Sequence, residues 1–138
     1  MKVLVADDRG LLAPTCLVFL SWWGHQVEVA GDGFEALRKA RAWRPDLVLA
    51  PFQLERMGGL SLLAALRAGG PREARVVLVV AEGDDPAVPE RALALGAAGV
   101  LEAPVGAADL GRVLERCADT EGLRLRAQAR AGALLSPR

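Results

Sequence analysis

At 138 residues with 52% hydrophobic side chains and a mean hydropathy of +0.25, the chain carries enough apolar material for one domain that needs no disulfide or metal staple. Seventeen Lys and Arg balance seventeen Asp and Glu, so no global field draws it to nucleic acid or to an anionic membrane. The apolar runs are too short to span a bilayer, and Met1 to Val5 leads into an acidic pair rather than a signal-peptide core, which predicts a cytoplasmic protein.

In chain order, strand and helix signals alternate. Lys2 to Ala6 is a short β-branched strand ending at Asp7-Asp8. Gly10 to Trp23 reads as a helix with Pro14 in its first turn, where a missing N–H is tolerated, and Gly24 closes it. Gln26 to Ala30 alternates as a strand. Asp32 caps a helix over Gly33 to Trp43, whose Phe34, Leu37 and Ala40 are expected to form the buried stripe before Pro45. Leu47 to Ala50, closed by Pro51, is an apolar run too short for a helix and reads as a strand buried on both faces.

After a loop, Gly58-Gly59 opens a helix with Leu60, Leu63 and Leu66 inward and Leu62 and Ala65 widening the stripe. A Gly-Gly-Pro turn follows at Gly69 to Pro71, then a fully apolar strand over Arg75 to Val80. Asp85 before Pro86 reads as an N-cap for a helix through Leu95. Gly99 to Glu102 is a brief strand, and Ala107 to Ala118 a helix with Leu110, Val113, Leu114 and Cys117 on one face. Cys16 and Cys117 both fall on apolar helical positions and read as free core thiols of a reducing compartment. Strands alternating with helices predict an α/β domain with a parallel sheet and right-handed crossovers. In such sheets, function sits at the carboxyl ends of the strands.

Five pieces in register, Val3-Leu4-Val5-Ala6-Asp7-Asp8, Ala30-Gly31-Asp32-Gly33-Phe34-Glu35-Ala36-Leu37, Pro45-Asp46-Leu47-Val48-Leu49, Met57-Gly58-Gly59-Leu60 and Gly96-Ala97-Ala98-Gly99-Val100-Leu101, resemble the receiver domain of two-component response regulators over residues 1 to 118. The resemblance implies a flavodoxin-like five-stranded parallel sheet in order 2-1-3-4-5, with helices on both faces. It also implies a chemistry. An aspartate ending the third strand attacks a phosphohistidine, and two acids after the first strand hold magnesium. A hydroxyl ending the fourth strand and a lysine ending the fifth bind the phosphoryl oxygens, and a ring on the fifth strand reports the change.

Matched residue by residue, only Asp7 and Asp8 agree with that set. The acceptor position falls on Pro51, the hydroxyl position on Val80, the lysine position on Ala103 and the switch ring on Val100. The resemblance therefore implies a degenerate pseudo-receiver that performs no phosphoryl chemistry, is no enzyme and needs no cofactor. Asp7 and Asp8 without a third ligand make a poor magnesium site, so no metal is expected, and Arg9 or Arg56 is a candidate counter-charge. Glu55, Glu82 and Glu102 each lie beside a pocket position and read as solvated acids. His25 has no neighbouring nucleophile to activate.

The first helix departs most from the family. Cys16, Phe19, Leu20 and one of Leu12 or Ala13 face the sheet by that match, leaving Leu17, Val18, Ser21, Trp22 and Trp23 where the family shows charges. Leu11, Val18 and Trp22 form one outer stripe with Leu17 beside it, which marks an interface. Trp43 reads instead as a single amphipathic surface residue.

A receiver-like domain is thus expected over residues 1–119 and an extension over 120–138, with Leu123, Ala127, Ala131 and Leu134 or Leu135 on one helical face. The extension is expected to pack on the first helix of its own or a twin subunit, giving a homodimer through the Leu11, Leu17, Val18, Trp22, Leu123 and Leu134 surface. The expected function is a phosphorylation-independent protein-interaction module of two-component signalling, bound to a protein partner of the pathway. The alternative is a small-ligand sensor using the apolar remnant of the pocket.

Overall fold

Apolar runs with β-branched residues at the expected places produce the sheet seen in a computed structural model, which describes residues 1–69 and 74–117. Strands β1 (Lys2–Ala6), β2 (Gln26–Ala30), β3 (Leu47–Pro51), β4 (Arg75–Val80) and β5 (Gly99–Glu102) pair in parallel in the order β2-β1-β3-β4-β5. Between them run α1 (Ala13–Trp22), α2 (Gly33–Trp43), α3 (Gly59–Gly69) and α4 (Val88–Ala94), and α5 follows, described over residues 107–117. The predicted extension, with Leu123 and Leu134, and the turn at Pro71 lie outside the described residues.

Side-chain alternation along each strand divides the core into two layers. Leu4, Ala6, Val48, Ala50, Val76, Leu78 and Val80 point to one face and are covered by Ala36 and Ala40 of α2, Leu62, Leu63 and Leu66 of α3, and Val88 and Ala92 of α4. Val3, Val5, Leu47, Leu49, Val77 and Val79 point to the other, under Leu12, Ala13, Cys16 and Leu20 around α1 and Leu110, Val113 and Cys117 of α5. Both cysteines are buried and outside any disulfide, as the sequence predicts, and burial pushes the Cys16 thiol up to about 12, with the nearby Asp7 charge adding to the effect.

Three expectations are corrected. Phe34 is 51% exposed, and the inward side of α2 is Gly33, Ala36 and Ala40. Its rotation is set by Gly33, whose Cα packs so closely on Met57 that an added Cβ would collide with the Met57 carbonyl. One residue on, Phe34 swings about 100° away from the core.

Helix α1 begins at Ala13 rather than Gly10, because the chain from Arg9 to Ala13 wraps around the Asp7 carboxylate before turning into the helix. Helix α4 begins at Val88 rather than after Asp85. Asp85 accepts the N–H of Ala87 through Oδ1 and that of Val88 through its carbonyl, a turn containing Pro86, and Pro89 takes the place in the first helical turn.

Candidate functional site

The carboxyl edge of the sheet brings the candidate pocket residues together. Asp7 and Asp8 follow β1, Pro51 ends β3, Val80 ends β4, and Ala103 follows β5. Register fixes their neighbourhood: Pro51 is opposite Val79, Val80 is opposite Glu102, and the Ala103 N–H donates to the Val80 carbonyl at 2.8 Å. Val80 is buried, Pro51 and Val100 are half-buried and Ala103 is exposed.

Pro51 costs the sheet little. Phe52 N–H donates to Val79 O at 2.8 Å, so by alternation the missing N–H of Pro51 faces β1, and the β1–β3 ladder has already ended at Val5 opposite Leu49.

The acid pair is occupied by the chain itself. Asp7 Oδ1 accepts the N–H groups of Arg9, Gly10 and Leu11 at 3.1, 2.9 and 3.3 Å, and Oδ2 accepts those of Leu12 and Ala13 at 3.0 and 2.7 Å. Burial pushes this carboxyl up, but the N–H donors of Ala13, Leu12, Arg9 and Gly10 together outweigh it and hold Asp7 below the ordinary carboxylate value. Asp8 Oδ2 accepts the Glu55 N–H at 2.9 Å and so ties the β3–α3 loop to the β1–α1 loop.

That loop has further anchors which sequence reasoning missed. Gly33 N–H donates to Glu55 O at 3.0 Å, Arg56 pairs with Asp32 at 3.7 Å, and the Arg56 guanidinium lies 5.6 Å from the centre of the Phe34 ring. Arg56, expected as a counter-charge for the acid pair, pairs instead with Asp32, and its backbone has a positive φ of 73°. The signal in the sequence was Asp32-Gly33, a cap followed by a residue small enough for another backbone to approach. Across the edge, Asp84 accepts Gln53 Nε2 and the Ala81 N–H, both at 2.8 Å, linking the loops after β3 and β4.

Glu55, Glu82 and Glu102 are exposed, as predicted. His25 Nδ1 lies 2.8 Å from the amino group of Met1, and Trp43 is half-buried with Lys2 Nζ 5.6 Å from its ring centre.

Magnesium, implied by the family resemblance, does not fit this donor set. Every oxygen of Asp7 is engaged by backbone donors, Asp8 is a single further acid, and no group of three or more His, Cys, Asp or Glu is placed to hold a metal among the described residues.

Comparison with known proteins agrees with the fold. The family model described as the response regulator receiver domain matches residues 3–115. The chain belongs to the response regulator receiver family.

Among curated relatives, the receiver sequence is 38% identical over 97 residues to the probable transcriptional regulatory protein TcrX of Mycobacterium tuberculosis, covering 62% of this chain and 42% of that protein. It is 40% identical over 116 residues to a protein-glutamate methylesterase/protein-glutamine glutaminase of Anaeromyxobacter dehalogenans, covering 80% of this chain and 32% of that one. The chain thus spans less than half the length of these relatives.

Among solved structures, the chemotaxis response regulator CheY4 of Vibrio cholerae superposes with a TM-score of 0.75 at 28% identity, over 84% of this chain and 97% of CheY4. The receiver domain of NtrX from Brucella abortus gives 0.76 at 30% identity, over 86% and 98%. Receiver domains are generally non-enzymatic modules that interact with the proteins of signalling pathways, and two-component signalling is the setting this membership assigns. No helix of the described residues is long and apolar enough to cross a membrane.

Proposed function

We propose that this receiver works without phosphorylation, as a constitutive protein-interaction module in two-component signalling. One observation carries the reading: the three strand ends that face one another at the carboxyl edge present Pro51, Val80 and Ala103, which offer no nucleophile, no hydroxyl and no ammonium. A phosphoryl group brought to these three strand ends meets neither an acceptor nor a positive charge there to stabilise its oxygens. The engagement of Asp7 and Asp8 by backbone N–H groups supports the same reading. It gives the β1–α1 and β3–α3 loops one arrangement that needs no metal and no acyl phosphate to hold it. Partner binding then depends on how much of each protein is present.

The test is incubation with acetyl phosphate, and separately with beryllofluoride, in magnesium. Intact mass and amide spectrum are expected to stay unchanged, and a stable adduct on any residue of the edge sinks the proposal. The small-ligand alternative has less support. The groove beside this edge is open and lined by Asp8, Arg9, Gln53, Glu55, Ser61 and Arg91 with Phe52 and Leu60, a mixed polar surface rather than an apolar enclosure.

A further inference from the structure

Helix α1 has two faces of opposite fate and no charge on either. From Gly10 to Gly24 the chain contains no Asp, Glu, Lys or Arg. Leu12, Ala13, Cys16 and Leu20 are buried against the sheet and α5. On the outer side Leu11 and Trp22 are each 79% exposed, Val18 58%, Trp23 42% and Leu17 41%. These five side chains leave on the order of 500 Å² of apolar surface uncovered, near the top of the ~300–600 Å² range for the largest patch on a monomer. That is most of the ~800 Å² each partner contributes to a standard interface.

We infer that two copies of this chain meet on this face, α1 against α1, about a two-fold axis. A two-fold axis presents a patch to itself, so any charge on the patch tends to meet its own sign. A helix without charges escapes that cost, and the same lack leaves an acidic or basic partner nothing to pair with.

The spacing is also self-complementary. Within α1, Thr15, Val18 and Trp22 recur at three and four residues, the spacing of one helical stripe, and Leu11 lies just ahead of the helix. An antiparallel pairing centred between Thr15 and Val18 sets Thr15 against the partner's Val18, twice, and brings each Trp22 to the start of the partner's helix, beside the segment that carries Leu11. The large rings then lie at the two ends and the smaller side chains at the centre, where the helices approach most closely. This inference stands apart from the pocket reading, since no residue of the carboxyl edge takes part.

The test uses the full chain. Light scattering and sedimentation across a wide concentration range are expected to give twice the chain mass. Trp22→Glu and Val18→Glu, both at exposed positions, should weaken association on the order of 100-fold while leaving circular dichroism and melting unchanged. As a second measurement, the double variant Thr15→Cys, Val18→Cys should form a covalent dimer with a short bismaleimide. The wild type should not, because Cys16 is buried and its thiol is pushed up to about 12. A monomer at every concentration overturns the proposal, whether residues 118–138 or another protein covers the stripe. So does a dimer that survives Trp22→Glu, or one that the double variant fails to cross-link.

Discussion

At the end of β1, Asp7 organises the chain that follows it. Its carboxylate receives five backbone N–H groups and turns the chain from β1 into α1, in effect a cap placed six residues ahead of the first helical residue. Charge-assisted bonds of this kind are worth about 1.5–3 kcal/mol when the acceptor is lost, so Asp7→Ala should destabilise the domain by roughly that amount at neutral pH.

The sign with pH follows from the direction of the shift. The folded carboxyl lies below its ordinary value of 3.8, so its contribution is complete above that value and is lost as pH falls through the lower, folded value. Urea unfolding at neutral pH and again below the folded value should therefore show the gap between wild type and Asp7→Ala narrowing on acidification. A gap that stays constant would mean that the side chain acts through packing alone.

At the scale of elements, legibility depended on whether the deciding interaction was local. The bounds of β1, β2, β4 and β5 were readable because a run of apolar, β-branched residues bounded by turn residues has no other good use. The starts of α1 and α4 were misplaced because they are set by backbone N–H groups donating to Asp7 and by the Asp85 turn, which no hydrophobic period reports. The stripe of α2 was rotated for another reason: Gly33 faces inward as contact space for Met57, so a residue with no side chain defines the buried face.

Gly59 plays the matching part at the start of α3. An added Cβ would meet the Pro51 carbonyl, a strand backbone atom, and come within 2.7 Å of the buried Leu78 Cδ1. Gly59→Ala should cost about 1–3 kcal/mol as overpacking, and lower the melting temperature by several degrees. Gly83→Ala offers a contrast, since its open surroundings leave only the strain of a positive φ of 97°. Equal losses at the two sites would show that close packing at Gly59 is not the cause.

For the whole molecule, the fold and the carboxyl edge were legible together because five short motifs in register fix a strand order, and strand order fixes which loop ends meet. What the sequence did not reveal is how far the loops of that edge are tied to one another, through Asp8 to Glu55, Asp32 to Arg56 and Asp84 to Gln53.

Pro51→Asp should fold with stability within about 1 kcal/mol of wild type, because the proline lacks an N–H on the side where the β1–β3 ladder has already ended. The introduced carboxylate nonetheless enters an edge with no hydroxyl at Val80, no amine at Ala103 and an acid pair held by backbone donors. Labelling by acetyl phosphate in magnesium should stay at background in the single variant. Each positioned donor that stabilises transition-state charge is worth on the order of 100-fold in rate, so adding Val80→Thr and Ala103→Lys should raise labelling in two steps. Efficient labelling of Pro51→Asp alone would show that Asp7 and Asp8 release their N–H partners to bind magnesium, and that the edge lost its acceptor while keeping the rest of its chemistry.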